Sequence, residues 1–372
     1  MTVKPIDDLD AALWSAYPEL DAMRDLAGGK PVYLVGGAVR DLLIGRGRAD
    51  IDLVIEGDAT ALAKRLGGEV VEHERFATAK ARLGGHEVDI AAARAETYPH
   101  PGALPEVAPT AGIAADLARR DFTINAMAIP LRRDPELIDP HRGLEDLEAG
   151  LLRILHPRSF EDDPTRALRA ARYMARFRFE LEPDTAELLS QADLDTVSTD
   201  RREAELLRLA GETEAARGFG LLAEWGLVEP GPKGLELAER VSGLLGEAPW
   251  ADVARRDEAI LAAAMGRWGN AEELAAARPG RPSEAVRLAR GSGPVELALA
   301  RAMGAEWLDP YLGEWRHVTL EIDGEDLIGA GVPQGPAVGR GLAEALRGKL
   351  DGEISGRDSE LAAALEAARR PA

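Results

Sequence analysis

The chain of 372 residues contains no cysteine, which excludes disulfide bonds, thiolate zinc sites and cysteine nucleophiles. Aromatic residues make up only 5% of the sequence, so an extended surface for stacking single-stranded nucleic acid is not expected. The longest run without a charged residue, 327–339, is too short to span a membrane and is interrupted by glycine and proline. The start, MTVKPIDDLD, has the features of neither a signal peptide nor a transit peptide. These absences predict a soluble, cytoplasmic protein with no membrane partner.

The net charge of −20 argues against nucleic-acid binding over the whole surface, because phosphate binding depends on lysine and arginine. The charge is unevenly distributed, however. Residues 181–372 hold 21 basic and 35 acidic side chains, whereas residues 151–180 hold seven basic and four acidic. Any contact with a polyanion is therefore expected along a local basic track and should depend strongly on salt.

The order of apolar runs predicts an α+β head followed by helices. Strands are predicted at 31–35, 51–55, 70–74, 79–83 and 87–91. Helices are predicted between them at 38–44 and 59–66. The sheet is expected to be mixed, since the pattern is not a regular strand–helix–strand series. Residues 98–112 contain four prolines and predict a loop long enough to be functional. After residue 151 the spacing is helical, with helices expected at 167–175, 203–209 and 258–265.

Gly36 and Gly37 follow the first predicted strand directly. Paired glycines at a strand-to-helix turn let backbone N–H groups approach a phosphate, and the start of a helix adds its positive dipole end. Arg40, in the first helical turn, is a suitable phosphate ligand. An ordinary glycine turn with a solvated Arg40 and Asp41 is the alternative, and the pattern matches neither the Walker A nor the dinucleotide-binding motif.

Asp50 and Asp52 alternate with apolar residues on the second predicted strand, which puts both carboxylates on one face. Neighbouring carboxylates repel each other unless a cation lies between them, and Mg²⁺ prefers carboxylate and phosphate oxygens. The pair therefore suggests a metal–nucleotide site, with a solvated strand face as the alternative. Asp89 is either a third carboxylate on a neighbouring strand or a surface acid.

The segment RRDFTINA, residues 119–126, places two arginines before an acid and an asparagine. The adjacent arginines Arg119 and Arg120, followed by Asp121 and Asn125, could hold a triphosphate and a ribose. A structural ion-pair network is the alternative.

The segment DDPTRALRAAR, residues 162–172, begins with an acid that can cap a helix starting at Pro164. Asp163 and Arg166 are then expected as neighbours on one helix face, with Arg169 beside them and Arg172 on roughly the opposite side. A carboxylate acceptor beside an arginine donor complements the base edges of cytosine and adenine and mismatches guanine and uracil. A simple salt bridge between neighbouring turns is the alternative.

Taken in order, these motifs resemble the class II tRNA nucleotidyltransferases, the CCA-adding enzymes of bacteria and eukaryotes. The resemblance rests on the segments YLVGGAVRDLLIGRGRADIDLVIEG, RRDFTINAMAI, IDPHRGLEDLEAGLLRIL and FEDDPTRALRAARYMARFRF. A weaker similarity follows in VSTDRREAELLRL. It covers residues 31–210 densely and the C-terminal half only loosely.

The resemblance implies a polymerase β-type nucleotidyltransferase head with helical neck, body and tail. The implied division is an N-terminal helical extension at 1–30, the head at 31–150, the neck at 151–215, and a tRNA-binding body and tail at 216–372. The implied activity is addition of CCA to the 3′ end of tRNA from CTP and ATP, with release of pyrophosphate and with Mg²⁺ as cofactor. No protein partner is implied.

The resemblance also assigns roles to individual residues. It places Mg²⁺ on Asp50 and Asp52, and nucleotide binding on Gly37, Arg40 and Arg120. Asp121 would lie near the ribose. Recognition of the incoming base would fall to Asp163, Arg166, Arg169 and Arg172.

Several related activities remain open at this point. Bacterial poly(A) polymerases share the head, and some relatives add only CC or only A. The segment HERFATAKARL and the long stretch 94–116 resemble the full CCA-adding form. A non-catalytic RNA-binding relative is disfavoured because both Asp50 and Asp52 are present, and a small-molecule transferase is disfavoured by the large helical part. No His-Asp dipeptide occurs, so an HD phosphohydrolase activity is not expected.

Overall fold

A computed structural model describes residues 8–46, 49–66, 71–73, 78–109 and 112–370. Contacts divide the chain into two compact units, Met1–Val228 and Glu229–Ala372. The finer division into extension, head, neck and body stays a prediction. No helix in the described part of the chain has both the length and the apolar character needed to cross a membrane.

The first unit contains a sheet with the strand order β3-β4-β5-β2-β1-β8. Its strands are β1 (Val32–Val35), β2 (Ile51–Ile55), β3 (Val71–His73), β4 (Thr78–Leu83), β5 (His86–Ala92) and β8 (Ala128–Pro130). Strand β2 pairs parallel with β5, and the other neighbours pair antiparallel. The predicted mixed sheet and α+β class are therefore confirmed. Residues 70 and 74 of one predicted strand lie outside the described residues.

Strand β2 shows how the sequence positions the site. Ile51, Leu53 and Ile55 point into the main core of this unit. Asp52 points to the opposite face, as the alternation predicts. Val54, on that same face, belongs to a smaller apolar cluster together with Ile113. The acidic face of the sheet is thus open at the start of β2 and covered at its end.

The hairpin between β4 and β5 follows from its turn residues. Gly84 and Gly85 have φ values of 57° and 85°, the left-handed pair that a two-residue hairpin turn requires. The turn fixes the register in which Lys80 lies opposite Asp89.

The predicted loop at 98–112 is partly wrong. Residues Arg94–Thr97 (β6) and Glu106–Pro109 (β7) pair as a separate antiparallel ribbon. Pro109 is at the end of its strand and opposite Arg94, where a missing N–H is tolerated. Proline content predicted irregular backbone, but it carried no information on the pairing with a strand that lies outside the segment.

Helices cover the sheet and continue the first unit. They are α1 (Leu9–Ala16), α2 (Met23–Leu26), α3 (Gly37–Leu43), α4 (Ala59–Arg65), α5 (Ile113–Ala118), α6 (Gly143–Ala149), α7 (Ser159–Asp162), α8 (Thr165–Phe177), α9 (Pro183–Leu188), α10 (Thr199–Ala210) and α11 (Ala215–Glu224). Two short strands, β9 (Leu151–Leu152) and β10 (Glu180–Leu181), pair parallel. Short 3₁₀ segments occur at Pro18–Ala22, Thr123–Asn125, Leu189–Gln191 and Leu194–Thr196.

The second unit is helical in all its regular structure that is described. Its helices are α12 (Gly234–Leu244), α13 (Arg256–Ala264), α14 (Ala271–Ala276), α15 (Pro282–Ala289), α16 (Pro294–Ala302), α17 (Leu308–Gly313), α18 (Gly324–Gly329), α19 (Pro336–Leu350) and α20 (Arg357–Arg369), with a 3₁₀ turn at Trp315–His317. Asp323 begins α18 with a reciprocal capping box, which satisfies the first free N–H groups of that helix. The helical half predicted from spacing is confirmed.

Candidate active site

A cavity of about 860 Å³ in the first unit brings the predicted site residues together. A volume of this size suits a ligand of nucleotide dimensions. Every candidate from the sequence lines it: Gly36, Gly37, Arg40, Asp50, Asp52, Arg120, Asp121, Asp163, Arg166, Arg169 and Arg172. Residues from both ends of a 137-residue stretch of chain therefore face one space.

Gly36 forms one wall of the cavity in a conformation that favours glycine. Its φ is +68°, and a Cβ there would lie 2.9 Å from Nη1 of Arg120 and 3.8 Å from Oδ2 of Asp52. A side chain would thus fill the space between the turn and these two groups. The glycine keeps that space open beside the arginine.

Arg40 and Asp41 are both buried, so the alternative of an ordinary glycine turn with these two side chains solvated is wrong. Arg40 is 3% exposed and donates from Nε to Asp41 (2.8 Å) and from Nη1 to Asn125 (2.6 Å). Its guanidinium also lies over the ring of Phe177, 4.6 Å from the centroid. These contacts fix the group in the wall of the cavity, with its cationic charge close to the glycine turn.

Asp50 and Asp52 are at the open end of the acidic face. Asp50 is exposed and precedes β2, and Asp52 is partly buried within it. Burial raises the pKa of Asp52 to about 6; Arg120 opposes the shift, while Asp89 and Asp50 add to it. The protein alone therefore compensates this negative charge poorly.

The donor set fits a hard divalent cation. Two carboxylates with an unfavourable charge balance are relieved by a cation, and oxygen ligands suit Mg²⁺. Within the described ranges no three histidine, cysteine or carboxylate residues form a ready metal cluster. A cation on Asp50 and Asp52 would accordingly need substrate or water oxygens to complete its ligands.

Asp89 is the direct neighbour of Asp52 across the parallel pairing of β2 and β5. Its carboxylate is half exposed and forms an ion pair with Lys80 at 3.1 Å. The structure therefore places Asp89 beside the acidic pair, and a role as a third metal ligand stays a prediction.

Arg120 is held by a residue that the sequence reasoning missed. Asp116, fully buried, accepts from Nη2 of Arg120 at 3.0 Å and from Arg119 at 2.8 Å. Burial opposes ionisation of Asp116, but the two arginines outweigh it and lower its pKa. The Nε of Arg120 is buried without a hydrogen-bond partner among the described residues. Asp116 could have been recognised as the residue four positions before Arg120, on the adjoining helix.

Asp121 joins the head to the long helix α8. Its Oδ2 accepts from Nε and Nη2 of Arg169, and its Oδ1 accepts from Asn125 at 3.0 Å and from the N–H of Phe122 at 2.8 Å. Burial opposes the charge, but the Arg169 guanidinium and these hydrogen bonds hold the pKa of Asp121 well below its usual range. The motif thus forms an ion pair, as its alternative interpretation predicted, and Asp121 also lines the cavity, as its functional interpretation predicted.

The expectation that Asp163 and Arg166 share one helix face is wrong, because Asp163 precedes α8 as its predicted cap and is not part of the helix. Asp163 is extended, with φ −136° and ψ 92°, and lies between α7 and α8. Its Oδ1 accepts from the backbone and side chain of Thr165 and, at 2.9 Å, from Arg201. Among the described residues no hydrogen bond goes to Oδ2. The carboxylate caps α8, as predicted, and keeps one oxygen available in the cavity wall.

Arg166 forms no salt bridge with Asp163, so that alternative is wrong as well. It is 4% exposed and donates to the hydroxyl of Ser159 and to the carbonyl of Arg119, the latter at 2.9 Å. The ring of Tyr98 lies 6.0 Å away. The guanidinium is therefore fixed by neutral acceptors, and no described carboxylate is directly paired with its charge.

Arg172 lines the same cavity as the other arginines of α8, although it was expected on roughly the opposite side from Asp163. The helical wheel was measured from Asp163, which is not part of the helix. Arg166, Arg169, Arg172 and Arg176 form a stripe at helical spacing and all line the cavity. Burial of Arg169, Arg172 and Arg176 requires acids beyond Asp121, and two of these come from a later segment.

Glu205 and Glu212 are those acids. Arg169 and Arg172 approach Glu205 at 3.5 and 3.7 Å, and Arg176 pairs with Glu212 at 2.9 Å. The Nε of Arg172 and Oε2 of Glu205 are buried and have no hydrogen-bond partner in the part of the chain that the structure describes. Glu205 lies in the weakly similar segment VSTDRREAELLRL, which was the one sequence signal for it.

The chain is similar to one family model and to several known proteins. The Poly A polymerase head domain matches residues 32–153. An A-adding tRNA nucleotidyltransferase of Halalkalibacterium halodurans is 47% identical over 208 residues, which are 52% of this chain and 48% of that protein. A CC-adding tRNA nucleotidyltransferase of Deinococcus radiodurans is 35% identical over 341 residues, 88% of this chain and 87% of that protein. The match thus spans about half the length of the first relative and most of the second.

Comparison with solved structures extends over nearly the whole chain. An apo CCA-adding enzyme matches with a TM-score of 0.80 and 30% identity, covering 96% of this chain and 98% of that one. The Thermotoga maritima CCA-adding enzyme complexed with tRNA matches with a TM-score of 0.74 and 29% identity, with the same coverage. Similar CCA-adding enzymes have been solved with ATP and with CTP. The chain belongs to the class II tRNA nucleotidyltransferases.

Proposed function

We propose that this protein adds CCA to the 3′ end of tRNA, using CTP and ATP and releasing pyrophosphate, in the cytoplasm. The observation that supports this most directly is the single cavity shared by three groups: the glycine turn, the acidic pair, and Asp163 with Arg166, which together form one corner of the cavity. A triphosphate, a reacting hydroxyl and a base edge can be held there at once. The CTP, ATP and tRNA complexes of similar enzymes agree with that choice of substrates.

Base selection would rest on Asp163 and Arg166. The free Oδ2 of Asp163 can accept from an exocyclic amino group, and Arg166, with donors left over, can donate to a ring nitrogen. Cytosine and adenine both offer that pattern, whereas guanine and uracil do not. Because both groups are fixed by other residues, no nucleic-acid template is needed to position them. Arg169 and Arg172 would hold the base and this corner from the helix behind it.

The triphosphate would lie along Gly36, Gly37, Arg40 and Arg120. Arg120 offers, beside the turn, a buried Nε that no described residue hydrogen-bonds, and Arg40 adds fixed positive charge. Asp121, whose oxygens are already hydrogen-bonded, would orient Arg169 and Asn125 around the ribose.

Asp50 and Asp52 would hold Mg²⁺. When bound, the metal would lower the cost of deprotonating the 3′-hydroxyl and of charge on the departing pyrophosphate. The residues of the chain then supply orientation: the turn and arginines fix the phosphates, and the Asp163 corner fixes the base.

Addition of A alone is the second candidate. It is favoured by the 47% identity with the A-adding relative over 208 residues, compared with 35% for the CC-adding relative over 341 residues. Addition of CC alone and of a poly(A) tail are the further variants of the same chemistry.

The test is nucleotide addition to three tRNA acceptors, ending before the first C, after one C, and after CC. Each is incubated with labelled CTP, ATP or both. Two C residues followed by one A on the first acceptor support CCA addition. A single A on only the third acceptor supports the A-adding candidate, CC alone or a long A tail redirects the assignment, and no addition to any acceptor overturns it.

A further inference from the structure

Three side chains lie in one row across neighbouring strands of the sheet. The parallel register of β2 and β5 sets Asp52 beside Asp89, and the antiparallel register of β5 and β4 sets Asp89 beside Lys80. Neighbouring strands are about 4.8 Å apart, so the row runs straight across the sheet away from β1. Lys80 ends the row on the side opposite the Gly36–Gly37 turn.

Lys80 differs from the other cations of the cavity. Among the described residues that line it, Lys80 is the one lysine, and the remaining cations are arginines. Arg40, Arg120 and Arg169 are largely buried and held by acids, whereas the side chain of Lys80 is 51% exposed. Its pair with Asp89 at 3.1 Å is an exposed ion pair, which can be exchanged for another anion at small cost.

The geometry of in-line phosphoryl transfer determines which reactant lies on the Lys80 side of Asp50 and Asp52. The attacking hydroxyl and the departing pyrophosphate are on opposite sides of the reacting phosphorus. In the proposed function the pyrophosphate is at the turn after β1. The attacking 3′-hydroxyl must therefore enter from the side of β5 and β4, and the strand that carries it brings its own backbone phosphates.

We propose that Lys80 binds the last phosphodiester of the acceptor strand, one nucleotide back from the attacking 3′-hydroxyl. This inference rests on the proposed function. Lys80 exchanges its pair with Asp89 for the phosphate when the acceptor enters. Asp89 is thereby released next to Asp52, on the side from which the hydroxyl approaches.

The test compares Lys80→Ala, Lys80→Arg and the control Lys30→Ala, which removes an exposed lysine elsewhere in the first unit. We expect Lys80→Ala to raise KM for the tRNA acceptor about tenfold and to leave KM for CTP and ATP unchanged, because one charged contact is lost. Lys80→Arg should retain most of the affinity, and Lys30→Ala should match the wild type.

Binding of the acceptor without metal gives a readout apart from activity. Fluorescence anisotropy in EDTA, measured between 50 and 200 mM salt, should show a salt slope that is smaller by about 0.7–1 for Lys80→Ala. An unchanged slope would overturn the phosphate contact.

An acceptor whose last phosphodiester is replaced by a neutral methylphosphonate locates the contact. It should raise the acceptor KM of the wild type to that of Lys80→Ala and have no further effect on the variant. This arm uses the wild-type enzyme and holds even if the variant folds poorly. Additive losses, or a rise in KM for the nucleotide instead, would refute the inference. A wild type that adds no nucleotide would refute the proposed function, whereas an active wild type with unaffected Lys80→Ala refutes only this inference.

Discussion

Arg169 donates two hydrogen bonds to the same oxygen of Asp121, from Nε at 2.8 Å and from Nη2 at 2.6 Å. The two residues are 48 positions apart, so this contact closes a long loop between the sheet-bearing head and helix α8. With Asn125 and Phe122 on the other oxygen, the carboxylate is fully hydrogen-bonded. The contact fixes the angle at which the arginine stripe enters the cavity.

Asp121→Asn should lower the free energy of unfolding by about 2 kcal/mol. The variant removes the charged acceptor of two short hydrogen bonds, and Arg169 is only 30% exposed. Urea unfolding at pH 7 measures the change. Asp195→Asn is a matched control, since its side chain is 95% exposed, and it should stay within about 0.5 kcal/mol of the wild type. Equal stabilities for Asp121→Asn and the control would contradict this account of the contact.

The same carboxylate predicts how stability depends on pH. The folded pKa of Asp121 is well below its unfolded value near 3.9, so its contribution is complete above that value and is lost as the pH falls toward the folded pKa. The stability gap between the wild type and Asp121→Asn should therefore narrow as urea unfolding is repeated from pH 6 to pH 3. A gap that stays constant over this range would show that the pairing charge is not responsible.

Gly36→Ala should weaken nucleotide binding beyond its effect on the backbone. A Cβ at Gly36 would lie 2.9 Å from Arg120 Nη1, whereas at Gly45, with a similar φ of +64°, it would meet no atom of the described residues within 4 Å. Both alanine variants should lose about 1 kcal/mol of stability from the positive φ. Only Gly36→Ala should raise KM for CTP, by about tenfold or more, because it would displace Arg120 and so remove a charged contact with the nucleotide. Equal KM values for the two variants would show that the displaced Arg120 does not contact the nucleotide.

Asp52→Asn should abolish nucleotide addition without destabilising the fold. Burial raises the pKa of this carboxylate because it disfavours the charged form, so removing the charge costs no stability. With 10 mM Mg²⁺ and a dissociation constant near 1 mM, the wild type would gain about 1.4 kcal/mol, and the variant would gain less. Thermal unfolding with and without Mg²⁺ measures this gain, and EDTA should stop addition by the wild type. Measurable addition by Asp52→Asn would exclude the carboxylate as a metal ligand.

Asp163→Ala should reduce the preference for CTP and ATP over UTP and GTP more than it reduces turnover with CTP. The free oxygen that rejects a carbonyl edge is lost, and one such contact contributes about 1–3 kcal/mol of discrimination. Competition assays with mixed nucleotides measure the ratio. Asp162→Ala, one residue earlier and paired with Arg158, serves as the control and should keep the wild-type ratio. An unaltered ratio in Asp163→Ala would remove this residue from base selection.

Local pattern was sufficient for much of the head. Strand β2 was predicted with its observed bounds, because alternating apolar and acidic residues report directly on the two faces of a strand. The strands at 79–83 and 87–91 were predicted for the same local reason, and Gly84 and Gly85 form the turn between them. The order of the motifs then predicted the residues of the site correctly, since every one of them lines one cavity.

Contacts between distant segments were not available from local pattern. The helical wheel that separated Asp163 from Arg172 assumed one continuous helix, whereas Asp163 is extended and is held by Arg201, 38 residues later. The acids that balance the arginine stripe, Glu205 and Glu212, are similarly remote. Periodicity describes a face of one element, but the partner of that face is determined by tertiary packing.

The register of β2 against β5 constrains which changes of length this protein tolerates. Side chains alternate along a strand, so insertion or deletion of a single residue within β2 would turn Asp52 into the apolar core and one of its isoleucine or leucine neighbours onto the open face. Strand β4 lies within the connection between these two strands and is subject to the same constraint, because its register with β5 sets Lys80 opposite Asp89. Natural variation in length should therefore be tolerated in the parts of the connection outside β3 and β4 and should be rare within β2.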